Sequence, residues 1–378
     1  AAAGAFWSGD VWVLGKGVSR ADRRVYEAAF REGVPEEEGR FLRVARWRSR
    51  GAWVGPTVER SRQRKGARGE APVVAFCSFK GGVGRTTALA AHAIRCARSG
   101  LRVVVLDLDL DAPGAGRLLA ADAEGTVAAW GVVDYLLEAP FGAGPLDDYR
   151  HLCVRPAVTG DGQAIAVFPA GRVDGRYLRK LARVDLEVHA GDGPHPLFGL
   201  LDRIRKEVRP DRILVDTRAG LSPAAGLLLD GGADLYVLFA TASTQSDPGI
   251  RRIVHRFGQE RIEAGLPQTD CIVVQAMVPD GPEVGKVVKR GFAERMRGLF
   301  TEHYLVRDAD DPEDWHWSIG DLDSSEAPHV PVPIRYREAF ATFGAIDEVA
   351  DELAVAADFE ALSERIESRL APRAGAER

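Results

Sequence analysis

Residues 73 to 90 read VVAFCSFKGGVGRTTALA, and the segment Lys80-Gly81-Gly82-Val83-Gly84-Arg85-Thr86-Thr87 within them decides how the chain is read. An apolar, β-branched run ends at Phe79, a glycine-rich turn follows, and a helix-forming run comes next. Glycines at 81, 82 and 84 let the backbone fold tightly, so that successive N–H groups face one anion. The positive end of the following helix adds to that field. The plainer alternative is a glycine turn that only joins strand to helix. Eight consecutive fitting residues in a strand–turn–helix context favour a phosphate-cradling loop for a nucleoside triphosphate. Thr86 stands where a hydroxyl would meet Mg²⁺. Arg85 stands where such a loop nearly always has lysine, in the place of a cation that meets the β- and γ-phosphates.

Outward from that loop, strand and helix alternate, which predicts an α/β fold with a doubly wound, mostly parallel sheet flanked by helices. Strands are expected at 73–79, 102–108, 164–168, 212–216, 234–240 and 270–275. Helices are expected at 85–98, 130–138, 196–207, 248–263, 284–301 and 345–369. Residues 1–70 read as an N-terminal extension and basic linker, 71–372 as the nucleotide-binding domain, and 373–378 as a tail. In the extension, Val11–Leu14 suggests a short strand and Ser19 a helix cap. Between 40 and 68 the chain is rich in arginine, with Glu59 its only acid and Trp47 and Trp53 among the arginines. That tract offers a nucleic-acid surface, arginine on phosphate and tryptophan on base. A small subdomain with a solvated linker is the plainer reading. Residues 308–326 are acidic and loop-like.

Two acidic segments sit where the loop needs them. VVVLDLDLD at 103–111 ends a strand in acids, and Asp107 follows Arg85 by 22 positions (107 − 85). Acids at a strand's C-terminal end face the ligand crevice of a doubly wound sheet. A turn-forming acid cluster before Pro113 is the alternative. DRILVDTRAGLS at 211–222 carries an apolar run to Asp216, the pattern of a strand that delivers an acid to Mg²⁺. Arg218 offers either a cation beside the γ-phosphate or an ion pair with Asp109 or Asp111.

The pattern xKGGxGxTT resembles the deviant phosphate loop (deviant Walker A) of the ParA/MinD family of P-loop ATPases. Within it, KGGVGRTT, DLDLDAPGAG and DTRAG are similar to a branch written KGGVGRT, over roughly residues 72 to 350. The resemblance implies an ATP-driven dimerisation switch with slow ATP hydrolysis. Lys80 would reach across a homodimer to the other subunit's nucleotide. Asp107 would support the Mg²⁺ shell with Thr86 and Asp216, Asp109 would orient the attacking water, and Gly220 would let the segment after Asp216 move. Where the family places an adenine-reading Asn and a proline loop, this chain has Gln275 and Pro331-Val-Pro333. The departure at Arg85 points to the alternative of an interaction module that binds ATP with little hydrolysis. A partition-type DNA-binding protein is the third reading, with the basic helix around Lys286, Lys289 and Arg290 as its surface. A regulatory protein partner fits the first two.

The remaining features bound the class. The chain has 378 residues, 46% hydrophobic content and a net charge of −5, enough for a large core and unlike a protein that wholly coats nucleic acid. Cys77, Cys96, Cys153 and Cys271 form no CxxC pair and read as reduced and buried. No apolar stretch predicts a membrane span, and AAAGAFWSGD lacks the regions of a signal peptide. A cytoplasmic location and a trimmed start are the expectations. The final helix places Phe359, Leu362, Ile366 and Leu370 on one face, with Glu and Arg mixed opposite, and reads as packing on the domain rather than as a lipid anchor. No tyrosine cluster follows Tyr336, unlike in bacterial tyrosine kinases that share the loop. His151, His189, His195, His316 and His329 show no metal-ligand spacing.

Overall fold

A computed structural model describes residues 70–120, 130–184, 186, 195–229, 231–307 and 316–371, together with Trp53 and the backbone of two short strand pairs near the start. One of those pairs, Ala5–Trp7 against Trp12–Leu14, contains the short strand expected there. The helix expected after Ser19, Trp47, the linker at 60–68 and the tail at 373–378 lie outside the described residues.

Eight strands form the main sheet: β1 Val73–Ser78, β2 Val103–Leu108, β3 His151–Cys153, β4 Ile165–Phe168, β5 Arg212–Thr217, β6 Leu235–Ala240, β7 Cys271–Val278 and β8 Val332–Arg335. Their order across the sheet is β8-β7-β6-β1-β5-β2-β4-β3. Every pairing is parallel except β3 with β4. The chain winds one way from β1 to β2 and the other way to β6, β7 and β8. The C-terminal end of β1 is therefore a topological switch point, where open α/β sheets bind ligands.

Both faces are covered, which explains the near-continuous apolar strands. Val73, Ala75 and Cys77 of β1 face one core cluster, while Val74 and Phe76 face the other. The second cluster contains helix α1 (Arg85–Arg98), which follows the glycine loop, helix α2 (Ala115–Leu119), and two helices of the chain's end. On the opposite face lies the long helix α3 (Pro282–His303).

All six expected strands are present, and the two that were not expected are the sheet's edges. β3 has three residues and exposes Leu152, so it carries no apolar pattern. β8 contains Pro333, which lacks an N–H and is tolerated on an edge strand. Three expected helices are shorter or divided. The helix from Pro196 gives way after Arg203 to a wide turn that closes with Arg209 at φ 51°. Gly258 separates Asp247–Phe257 from Gln259–Glu263, where a Cβ would lie 2.5 Å from the Tyr304 Cα. Ala356, in extended backbone, divides α4 (Ala350–Val355) from α5 (Ala357–Leu370).

The last helix packs as expected: Phe359, Leu362 and Ile366 are buried, and Arg212 pairs with Glu367. Arg369 lies 4.5 Å over the Trp317 ring and pairs with Asp270 at 2.5 Å. Among the described residues, no helix is long and apolar enough to cross a membrane. The four cysteines are free and buried. Trp53 is only 4% exposed. Its indole N–H donates to the Ser222 carbonyl at 2.7 Å, and Arg252 donates to its carbonyl oxygen. The Trp53 ring therefore belongs to the core and offers no face for base stacking.

Candidate functional site

The glycine loop adopts the shape that its residues predict. Gly82 and Gly84 have φ of 72° and 80°, a region that only glycine enters freely, while a Cβ at either position would meet nothing. The requirement is thus backbone conformation rather than space. Gly84 leads into α1, whose first turn carries no acid to compete with an incoming anion.

Arg85 turns inward from that helix and is buried. Its Nε donates to Asp216 Oδ1 at 2.5 Å, one terminal nitrogen to Asp109 Oδ2 at 2.9 Å, and the other to Ser78 Oγ at 3.4 Å. Thr86 Oγ1 donates to Asp216 Oδ2 at 2.6 Å. A lysine ammonium is a point charge; the planar guanidinium fork reaches two carboxylates at once. Burial opposes the charge of Arg85, but Asp216 and Asp109 outweigh it and hold its pKa above the usual arginine value.

Asp107 and Asp216 are cross-strand neighbours on β2 and β5, and both are fully buried. Asp107 accepts from the backbone N–H of Asp109 at 3.2 Å and of Gly116, in the first turn of α2, at 3.0 Å. Gly116 permits that approach, since a Cβ there would lie 2.6 Å from Pro169. Burial, then the neighbouring Asp216, pushes the Asp107 carboxyl up to about 8. Burial also raises Asp216, against the lowering influence of Arg85 and Thr86. Two buried carboxyls, a hydroxyl on one of them and a third acid nearby form an oxygen-donor set around the Arg85 cation. That set fits a hard divalent cation such as Mg²⁺.

Gly81–Thr87, Asp109, Asp111 and Arg218 line one end of a cleft of about 660 Å³, and Asp107 and Asp216 lie buried behind that wall. The Arg218 guanidinium pairs with Asp111 at 2.6 Å, one of the two partners expected for it. Gly220 has φ 86°, and its N–H donates to the Ser78 carbonyl at 2.8 Å. Lys80 is turned aside: its Nζ donates to Gln245 Oε1 at 2.6 Å.

The structure does not bring every expected residue to the cleft. Gln275 is 1% exposed and donates through Nε2 to the Val288 carbonyl of α3 at 3.3 Å. Pro333 pairs with Gln275 across β7 and β8 and borders a smaller hollow of about 430 Å³. The far end of the cleft is lined instead by Met277, Arg335, Tyr336 and Phe340. Met277 escaped the sequence reading because β7 shifts register between Gln275 and Val278, and Met277 sits there at φ 59°. A two-residue period cannot reveal such a bulge. Tyr336 follows an edge strand with no apolar run to announce it.

A glycine loop entering a helix, acids on the two neighbouring strands and a cleft at the switch point define a nucleotide-binding α/β domain with a phosphate loop. The family model of the CobQ/CobB/MinD/ParA nucleotide binding domain matches residues 74–298, well over half of the chain. The chain belongs to that family. No curated protein matches it. Among solved structures, the chain is similar to a putative plasmid partition protein from Borrelia burgdorferi B31 bound to AMPPNP. That match has 14% identity and a TM-score of 0.49, and covers 80% of this chain and 98% of that one. The MinC:MinD cell division complex of Aquifex aeolicus has 18% identity and a TM-score of 0.46, and covers 80% and 98%. The septum site-determining protein MinD of Pyrococcus horikoshii OT3 with Mg-ADP has 19% identity and a TM-score of 0.39, and covers 58% and 77%.

Proposed function

We propose that the domain binds ATP with Mg²⁺ and hydrolyses it slowly, acting as a switch whose ATP-bound form is a homodimer. The observation that carries this reading is the convergence of Arg85 and Thr86, from the loop, on Asp216 beside Asp109. Thr86, Asp107 and Asp216 would hold Mg²⁺, which supplies charge neutralisation at the β- and γ-phosphates. The loop amides bind the triphosphate. Arg85 leaves its two carboxylates to meet the phosphates, which frees Asp109 to accept a hydrogen bond from the attacking water. Little covalent chemistry is asked of the protein, so the rate depends on positioning and charge. Lys80, held by Gln245 at 2.6 Å within one subunit, is the group that crosses to the partner. Free, buried cysteines suit the reducing cytoplasm.

A second reading has its own support. Arg85 ties up both acids together, which suits a domain that binds ATP as a structural ligand, with little turnover, and regulates a protein partner. Phosphate release with Mg²⁺-ATP separates the two readings. Turnover lost in Asp216→Ala supports the first, and tight binding without release supports the second. Light scattering with and without ATP tests the dimer; a mass that does not change with ATP removes that element.

A further inference from the structure

The nucleotide reading leaves open what the far end of the cleft does with the base. Four observations bear on it. The one amide at the end of β7, Gln275, is buried on the α3 side and spends its N–H on the Val288 carbonyl. The residue that β7 presents to the cleft is Met277. It is 42% exposed in an otherwise buried strand and is held at φ 59° by the register shift. A non-glycine residue in that conformation is strained, and strain of this kind persists where the surroundings fix a side chain for a purpose. Beside it lies Tyr336, 46% exposed, placed by its N–H donating to the Val278 carbonyl at 3.0 Å. Finally, Arg337 is held by Asp358 at 2.8 Å through one terminal nitrogen and lies over the Phe340 ring, with its other terminal nitrogen buried.

We propose that this end of the cleft holds a nucleobase by its faces, between Met277 and Tyr336, and does not read its hydrogen-bonding edge. The site therefore selects a purine nucleoside triphosphate by its phosphates and accepts ATP and GTP alike. The physical basis is general. Every base has a π-face, so stacking on an aromatic ring is tolerant of base identity. A thioether on a flexible side chain adapts to differently shaped partners. Strong discrimination arises where buried polar groups are left unpaired by the wrong ligand, and Gln275 already has its partner. This inference rests on the proposed nucleotide binding.

The test is calorimetric titration of the full chain with Mg²⁺ and AMPPNP, GMPPNP or tripolyphosphate. The expected affinities for the two nucleotides differ by less than about tenfold. In Tyr336→Ala both weaken by a common factor of about ten, while tripolyphosphate changes by less than about twofold. Tyr336→Phe keeps the ring and is expected to bind both nucleotides as the parent does, which separates stacking from misfolding. A preference of about tenfold or more for either nucleotide overturns the proposal. If it favours GMPPNP, it points to one of the two arginines of that end, Arg335 or Arg337, as an edge reader. Loss of affinity in Tyr336→Phe equal to that in Tyr336→Ala also overturns it, since a hydroxyl contact is then responsible. Binding of tripolyphosphate with strong base preference leaves the phosphate site intact and removes only the base reading; no binding of any probe removes both.

Discussion

At the phosphate end of the cleft, Arg85, Thr86, Asp109 and Asp216 are joined by charge-assisted hydrogen bonds of 2.5 to 2.9 Å, and all lie on or beside central strands. At the far end, Met277 and Tyr336 stand on a bulge and just beyond an edge strand, each more than two-fifths exposed. One end is a polar network in which every atom has an assigned partner. The other is a soft, half-open slot. A network of the first kind loses function when a single member is removed, because the remaining buried charges are left unmatched. A slot of the second kind tolerates change and discriminates weakly. Selectivity and catalysis in one cleft can therefore rest on different physical terms.

That contrast yields graded expectations. The largest effect belongs to Asp216→Ala, which removes the acid shared by Arg85 and Thr86 and is expected to lower the rate of phosphate release by about 10²–10³-fold. A smaller loss than in Tyr336→Ala, in the same phosphate-release assay, would invert the contrast. Arg85→Ala leaves Asp216 and Asp109 without their cation and is expected to destabilise the ligand-free protein by about 3 kcal/mol, read from the urea midpoint. Arg85→Lys keeps a charge but not the fork, and should fall between the two.

The helix that carries the network also has a titrating anchor at its rear. His92 of α1 is buried, with Nδ1 3.0 Å from Ser363 Oγ of α5, and burial lowers its pKa from 6.5 to about 4. Folding therefore disfavours the proton: this contribution is complete above pH 6.5 and is lost as pH falls toward 4. Between pH 7 and 4.5 the loss is expected to be about 2 kcal/mol, and to shrink in His92→Gln, as followed by urea denaturation. An unchanged slope in the variant would assign the acid sensitivity to the carboxylates instead. The smallest effect is expected for Arg218→Ala. Arg218 and Asp111 are about half exposed, so stability should change by less than about 1 kcal/mol. A clear fall in phosphate release beside that small change would place Arg218 among the groups that meet the nucleotide.

Much of the phosphate end was legible in the sequence, because its rules are local. Glycine spacing sets the turn, and apolar runs that end in Asp107 and Asp216 set the neighbouring strands. The partner of Arg218 was one of two that could be named. What could not be read depends on register. Gln275 and Met277 are two residues apart in a strand, so strict alternation would place them on one face; a bulge separates them, and no composition signal marks it. The edge strands escaped for a related reason, since three residues with an exposed Leu152, or four with a central Pro333, carry too little pattern. Gly258 and Ala356 divide helices where neighbouring elements crowd or redirect the chain, a decision made by tertiary contact rather than by propensity.

Trp53 has a practical side. It stands 20 positions before Val73, yet its ring fills part of the core beneath Ser222 and its carbonyl anchors Arg252. A version of the domain that began just before the first sheet strand would open an indole-sized void there and leave the Ser222 carbonyl without its donor, while Arg252 would keep only its pairing with Glu260. Its weakness would resemble a defect of the nucleotide site, since Ser222 lies only six residues beyond Asp216 (222 − 216). Trp53 is thus a doorstop for the domain, set well ahead of its first sheet strand.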